Sequence, residues 1–114
     1  MPKRTPLPGR RVRGSTSGRP IMALLDLLGQ RWMLRVIWEL RATPNPTFRE
    51  LQSRCDGVSS SVLAERLRAL SEAGLVEHPG DGYSLTDQGS RLLELVLPLD
   101  VWASSWKPGD LEAR

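Results

Sequence analysis

Three consecutive serines, Ser59-Ser60-Ser61, followed by Ala64, Glu65, Arg66 and Arg68, are the residues of this 114-residue chain best suited to chemistry with an extended anion. If Ser59 caps a helix running to Ala73, a wheel at 100° per residue gathers Val62, Leu63, Leu67, Ala69 and Leu70 on one side. Ser61, Ala64, Glu65 and Arg68 then look the other way. Free amides at a helix start receive phosphate, an arginine pairs bidentately with guanine, and a glutamate accepts from a cytosine amine. The competing reading for Glu65 and Arg68 is an ordinary solvated helix face. Arg66 falls on the flank of the apolar side, so its stem packs and its guanidinium either pairs with a carboxylate or emerges at a nucleic-acid backbone. Thr47 and Arg49, from the segment before, complete the candidate DNA-binding set of the folded part.

A second group of cations lies at the N-terminus. Residues 1–20 hold six of the sixteen basic residues and none of the thirteen acidic ones, which leaves the remainder net acidic. Four prolines, three glycines and little to bury predict a flexible basic arm over 1–20. Arg10, Arg11 and Arg13 are its candidates for lying along phosphates or entering a minor groove; the alternative is a solubilising tail.

Other chemistries are poorly supplied. One cysteine, Cys55, and one histidine, His78, exclude an internal disulfide and an all-His/Cys metal site within one subunit. There is no nucleophile with a base in a recognisable motif, no phosphate-cradling glycine loop and no paired-carboxylate site, so the expectation is a non-enzyme without cofactor or metal. The longest apolar stretches, 21–29 and 92–101, fall short of the roughly 20 residues that cross a bilayer. Without an apolar segment behind the basic N-terminus there is no secretion signal, and a cytoplasmic, bacterial-type, nucleoid-associated protein is expected.

The elements that must position these residues are legible from periodicity and caps. A short apolar helix is expected from Ile21 to Leu28 and a second from about Arg31 to Arg41, ending before Pro44 and Pro46. Thr47-x-x-Glu50 is a capping box that opens a third helix, in which Phe48, Leu51 and Cys55 share one side; Cys55 reads as a small core hydrophobe and not as a redox sensor. Asp56-Gly57-Val58 turns the chain into the Ser59-capped helix, which ends at Ala73-Gly74. Val76–Pro79 and Tyr83–Leu85 predict a hairpin without Arg or Lys, poorly equipped to enter a minor groove. Thr86 caps a last helix in which Pro98 predicts a kink. Its Leu92, Leu95, Val96, Leu99, Trp102 and Trp106 form one stripe, with Leu93, Leu97 and Val101 on another. More apolar surface results than one small domain covers, so Leu24, Leu25, Leu28, Leu95, Leu99, Trp102 and Trp106 are expected to form a homodimer interface. The predicted architecture is mainly α with a small β-hairpin, a winged helix-turn-helix spanning 21–107 and followed by a disordered tail over 108–114.

These residues resemble the HxlR-type winged-helix transcriptional regulators, related to the MarR group, over roughly Leu24 to Trp102. The resemblance rests on Asp26-Leu27-Leu28-Gly29 with Arg31-Trp32, on Phe48-Arg49-Glu50-Leu51, and on Arg66-Leu67-Arg68-Ala69-Leu70. It continues through Glu72-Ala73-Gly74-Leu75-Val76, Tyr83-Ser84-Leu85-Thr86, Gly89 and Trp102. It implies a dimeric repressor or activator with the helix from Ser59 to Ala73 in the major groove of double-stranded DNA. Members often carry a longer wing with an arginine; here seven residues separate Leu75 from Tyr83, so wing contacts are not carried over. Redox-sensing members use a cysteine near the N-terminus, and none precedes Cys55. A small-molecule effector between the terminal helices, near Trp32 or Trp102, competes with a plain core or interface role for those tryptophans. A second reading, favoured by the acidic folded part and the wing without Arg or Lys, makes the winged helix a protein-interaction module with a basic tether.

Overall fold

The computed structural model describes residues 4–42 and 44–109; Lys3, and the expected tail from residue 110 onward, lie outside the described residues. Five helices and one hairpin follow in the order α1 (Pro20–Leu28), α2 (Met33–Leu40), α3 (Phe48–Arg54), α4 (Ser60–Glu72), β1 (Val76–Glu77), β2 (Ser84–Leu85) and α5 (Asp87–Ser104). Pro20 occupies the first position of α1, where its missing amide costs nothing. Thr47 and Glu50 form the complete capping box of α3, and the hydroxyls of Ser59 and Thr86 cap α4 and α5.

The second helix starts later than its periodicity predicts. Trp32 takes a left-handed backbone, φ 73°, and Arg31 falls in the turn before it. For a residue other than glycine such a conformation costs about 1–3 kcal/mol. Packing of the Trp32 side chain against the core offsets it.

The core lies where α2 crosses α3 and α4. Met33, Val36, Ile37, Leu51, Leu63 and Leu70 are fully buried, and Cys55 joins them at the end of α3. The hairpin is antiparallel, pairing Val76 with Leu85 and Glu77 with Ser84. It is shorter than expected: His78 lies outside the ladder and stacks on Tyr83, with ring centroids 3.9 Å apart. The Tyr83 amide donates to the Pro46 carbonyl at 2.9 Å and Thr47 bridges Gly82, which fixes the hairpin to the start of α3. A Cβ at Gly82 would come within 2.1 Å of the Asn45 carbonyl oxygen, so the approach requires glycine.

The last helix divides its two halves between two environments. Leu93 is buried and Leu92 packs on the core, but Leu95, Leu99, Val101 and Trp102 are largely exposed, and Pro98 lies within the continuous helix. Among the described residues no helix is long and apolar enough to cross a membrane.

Residues 4–19 depart from the flexible arm expected of them. They fold into turns against α1 and α4: Val12 and Ser15 exchange backbone hydrogen bonds, the Gly9 amide donates to the Gly18 carbonyl at 2.9 Å, and Thr5 is 3% exposed. The glycines that suggested freedom instead supply left-handed turns. At Gly18, φ 76°, a Cβ would meet the Arg10 carbonyl oxygen at 2.3 Å.

Candidate nucleic-acid interface

The start of α4 presents its polar face as the wheel predicts. Ser59 accepts the Val62 amide at 3.2 Å, which commits its hydroxyl to capping. Ser60, Ser61 and Ala64 are exposed, and the amides of Ser60 and Ser61 belong to the four that a helix leaves unpaired at its start. The positive end of the helix dipole points the same way. Of the candidates on the preceding helix, Thr47 is half-buried at the cap of α3 and Arg49 is exposed in its first turn. The Thr47 amide donates to the Glu50 carboxylate at 2.9 Å and the Thr47 hydroxyl accepts from the Glu50 amide; hydrogen bonding from the Thr47 amide, then from its side chain, holds the Glu50 carboxyl below its ordinary range. The capping box therefore also fixes how Thr47 and Arg49 are presented.

Farther along α4 the polar face is already partnered. Arg68 donates through Nε and Nη2 to the two oxygens of Glu65, at 3.0 and 2.7 Å. That bond lowers the Glu65 pKa and raises that of Arg68. Arg68 also reaches Glu72, at 3.7 Å, and its Nη2 lies 3.5 Å from the Thr5 hydroxyl. Arg10 donates to the Thr5 carbonyl at 3.1 Å and to Glu72 at 3.3 Å, so this arginine clamps the N-terminal segment to α4. Hydrogen bonding from Thr5, then from Arg10, depresses the Glu72 carboxyl. Arg11 is exposed; the Arg13 amide donates to Asp26 at 3.2 Å while its side chain stays 82% exposed.

Arg66 has no carboxylate partner among the described residues; its Nε donates to the Arg31 carbonyl at 2.7 Å, tying α4 to the turn between α1 and α2. Glu72 was not among the candidates, although the i, i+4 spacing from Arg68 makes the pairing visible in the sequence. The contact from Thr5 has no comparable sequence signal.

The model of the HxlR-like helix-turn-helix family matches residues 27–110, from α1 through α5 and beyond. The chain belongs to that family. As an HxlR protein it is a DNA-binding helix-turn-helix transcriptional regulator and not an enzyme. It is similar to the HTH-type transcriptional regulator YodB of Bacillus subtilis, 30% identical over 105 residues that cover 85% of this chain and 93% of YodB. Similarity to the HTH-type transcriptional regulator MJ0925 of Methanocaldococcus jannaschii is 29% over 90 residues, covering 75% of this chain and 84% of that protein. The crystal structure of quinone-bound YodB superposes with a TM-score of 0.70 at 29% identity, covering 75% of this chain and 97% of YodB. The mainly helical winged architecture with a two-strand hairpin is thus the fold of HxlR structures.

Two candidate sets remain to be placed. Of the proposed interface residues, Leu25, Leu95, Leu99, Trp102 and Trp106 are each more than half exposed, whereas Leu24 is half-buried and Leu28 packs against the core of its own chain. Trp102 stacks on Trp106 with centroids 5.5 Å apart, while Trp32 belongs to the core periphery. Cys55 is fully buried and burial pushes its thiol pKa up.

Proposed function

We propose that this HxlR protein is a sequence-specific regulator that binds double-stranded DNA as a homodimer, with the helix from Ser59 to Ala73 in the major groove. The observation that carries the reading is the open N-terminal half of α4, where Ser60, Ser61 and Ala64 are exposed, as is Arg49 on the preceding helix. Small side chains there let the helix approach base edges, and the unpaired amides favour a phosphate. Glu65 and Arg68 read bases as a pair, each setting the orientation of the other. Thr47 and Arg49 contact the backbone, and Arg11 and Arg13 extend those contacts from the N-terminal segment. Arg10 and Arg66 support the surface by holding the arm and the α1–α2 turn against α4.

A homodimer is supported by the exposed apolar half of α5 together with Ile21 and Leu25 on α1. Occupancy of a promoter by such a dimer gives repression as the simplest output.

Fluorescence anisotropy with a duplex from the region upstream of the coding sequence tests this reading. Affinity should fall with salt by about 0.9 log units per phosphate contact for each tenfold rise in salt, and Arg49→Ala should flatten that slope by about one contact. A folded protein that fails to bind at low salt would overturn it in favour of a protein-interaction module.

A further inference from the structure

We propose that the cleft of about 1050 Å³ between the N-terminal segment, the α1–α2 turn and α4 binds a small organic anion with an apolar body. The arginines on its walls are Arg4, Arg11, Arg13, Arg31 and Arg66, against the two carboxylates of Asp26 and Glu65. Both carboxylates are committed: Asp26 accepts the Arg13 amide at 3.2 Å, and Glu65 is held by Arg68 at 2.7 Å. Arg4, Arg11, Arg31 and Arg66 have no carboxylate partner among the described residues. Four guanidiniums around one cavity repel one another, and an anion between them relieves that repulsion while accepting forked hydrogen bonds.

The remaining wall sets the rest of the ligand. Val12, Met22 and Ala69 give the cavity an apolar side that inorganic phosphate or a nucleic-acid backbone would leave unused. An aromatic or alicyclic carboxylate matches both parts.

The walls are also held in place. The Arg66–Arg31 hydrogen bond joins α4 to the α1–α2 turn, and the Val12–Ser15 pair closes the N-terminal segment. A bound anion would bridge the arm to both, fixing residues 4–14 beside Glu65 and Arg66 on α4. The site shares Arg11, Arg13 and Glu65 with the proposed DNA surface, but it belongs to the free protein and its test needs no DNA.

Isothermal titration of the full chain with 2-naphthoate, without DNA, tests it. The expected result is one molecule bound per chain, with affinity reduced about tenfold or more in Arg4→Gln/Arg31→Gln. Both arginines are exposed, so the variant keeps its fold, which circular dichroism verifies. The neutral 2-naphthamide should bind far more weakly, and Asp81→Asn, in the exposed hairpin turn, should leave 2-naphthoate binding unchanged. Absence of binding at millimolar concentration, equal affinity for the amide, an unaffected double variant, or loss of binding in Asp81→Asn would each overturn the proposal.

Discussion

Glu65 and Arg68 face each other across one turn of α4, both carboxylate oxygens engaged by the guanidinium at 3.0 and 2.7 Å. On the proposed DNA surface this pair would solve a problem that neither residue solves alone. A carboxylate near phosphates needs compensation, and a long cation needs a fixed direction before it can select a base. Arg68→Ala should therefore weaken binding to a preferred site by about 1–3 kcal/mol and leave Glu65 uncompensated. Glu65→Ala/Arg68→Ala should cost clearly less than the sum of the single changes, measured by fluorescence anisotropy. Additivity within about 0.5 kcal/mol would show that the two act separately.

Attachment of the N-terminal segment should depend on pH. Glu72 is held below its ordinary value of 4.5 by hydrogen bonding from Thr5, then from Arg10. A carboxyl whose pKa falls on docking stabilises the docked form above the ordinary value, and this contribution disappears as pH drops through the lowered one. The amide resonances of Thr5 and Arg10 should keep their positions at neutral pH and move toward those of Glu72→Gln as pH falls below about 4.5. Resonances indifferent to both changes would show that Glu72 does not hold the segment.

Leu99 and Trp102 are 62% and 59% exposed on the half of α5 that leaves the core. Burying such side chains contributes about 1.5–3 kcal/mol each, so Leu99→Glu/Trp102→Glu should weaken a homodimer by about a hundredfold or more. Sedimentation equilibrium should show the wild type as a dimer and the variant as a monomer at micromolar concentration. A monomeric wild type would remove the dimer from the account.

Cys55 is fully buried, and burial raises its thiol pKa, so little reactive thiolate is present at neutral pH. A disulfide reagent should label it only after denaturation. Cys55→Ser should destabilise the fold by about 1–3 kcal/mol in urea titrations, the cost of burying a hydroxyl without a partner. Rapid labelling of the native protein would contradict this placement.

The parts of the fold that follow from local chemistry were legible in the sequence. Thr47, Ser59 and Thr86 cap the helices they were expected to cap, and Leu51, Leu63 and Leu70 are buried as their spacing requires. Features set by contacts between distant residues were not. Glycine and proline in residues 1–20 read as flexibility, yet Gly18 serves a turn made tight by Arg10. The Arg66 side chain bonds to a carbonyl 35 residues away, a partner that no spacing rule reveals. Trp32 moved the start of α2 because core packing outweighed helical periodicity, and Leu28 turned toward its own core. The candidate surface at Ser59–Ala64 could be read because its face follows from one capped helix.

Selection of bound duplexes from a random library, run in parallel with the wild type and Arg68→Ala, tests most directly whether α4 reads DNA bases. The account predicts a two-fold symmetric motif with half-sites about 34 Å apart, and loss of preference at one symmetric pair of positions in the variant. A folded wild type that enriches no motif, or a motif unchanged by Arg68→Ala, would contradict it.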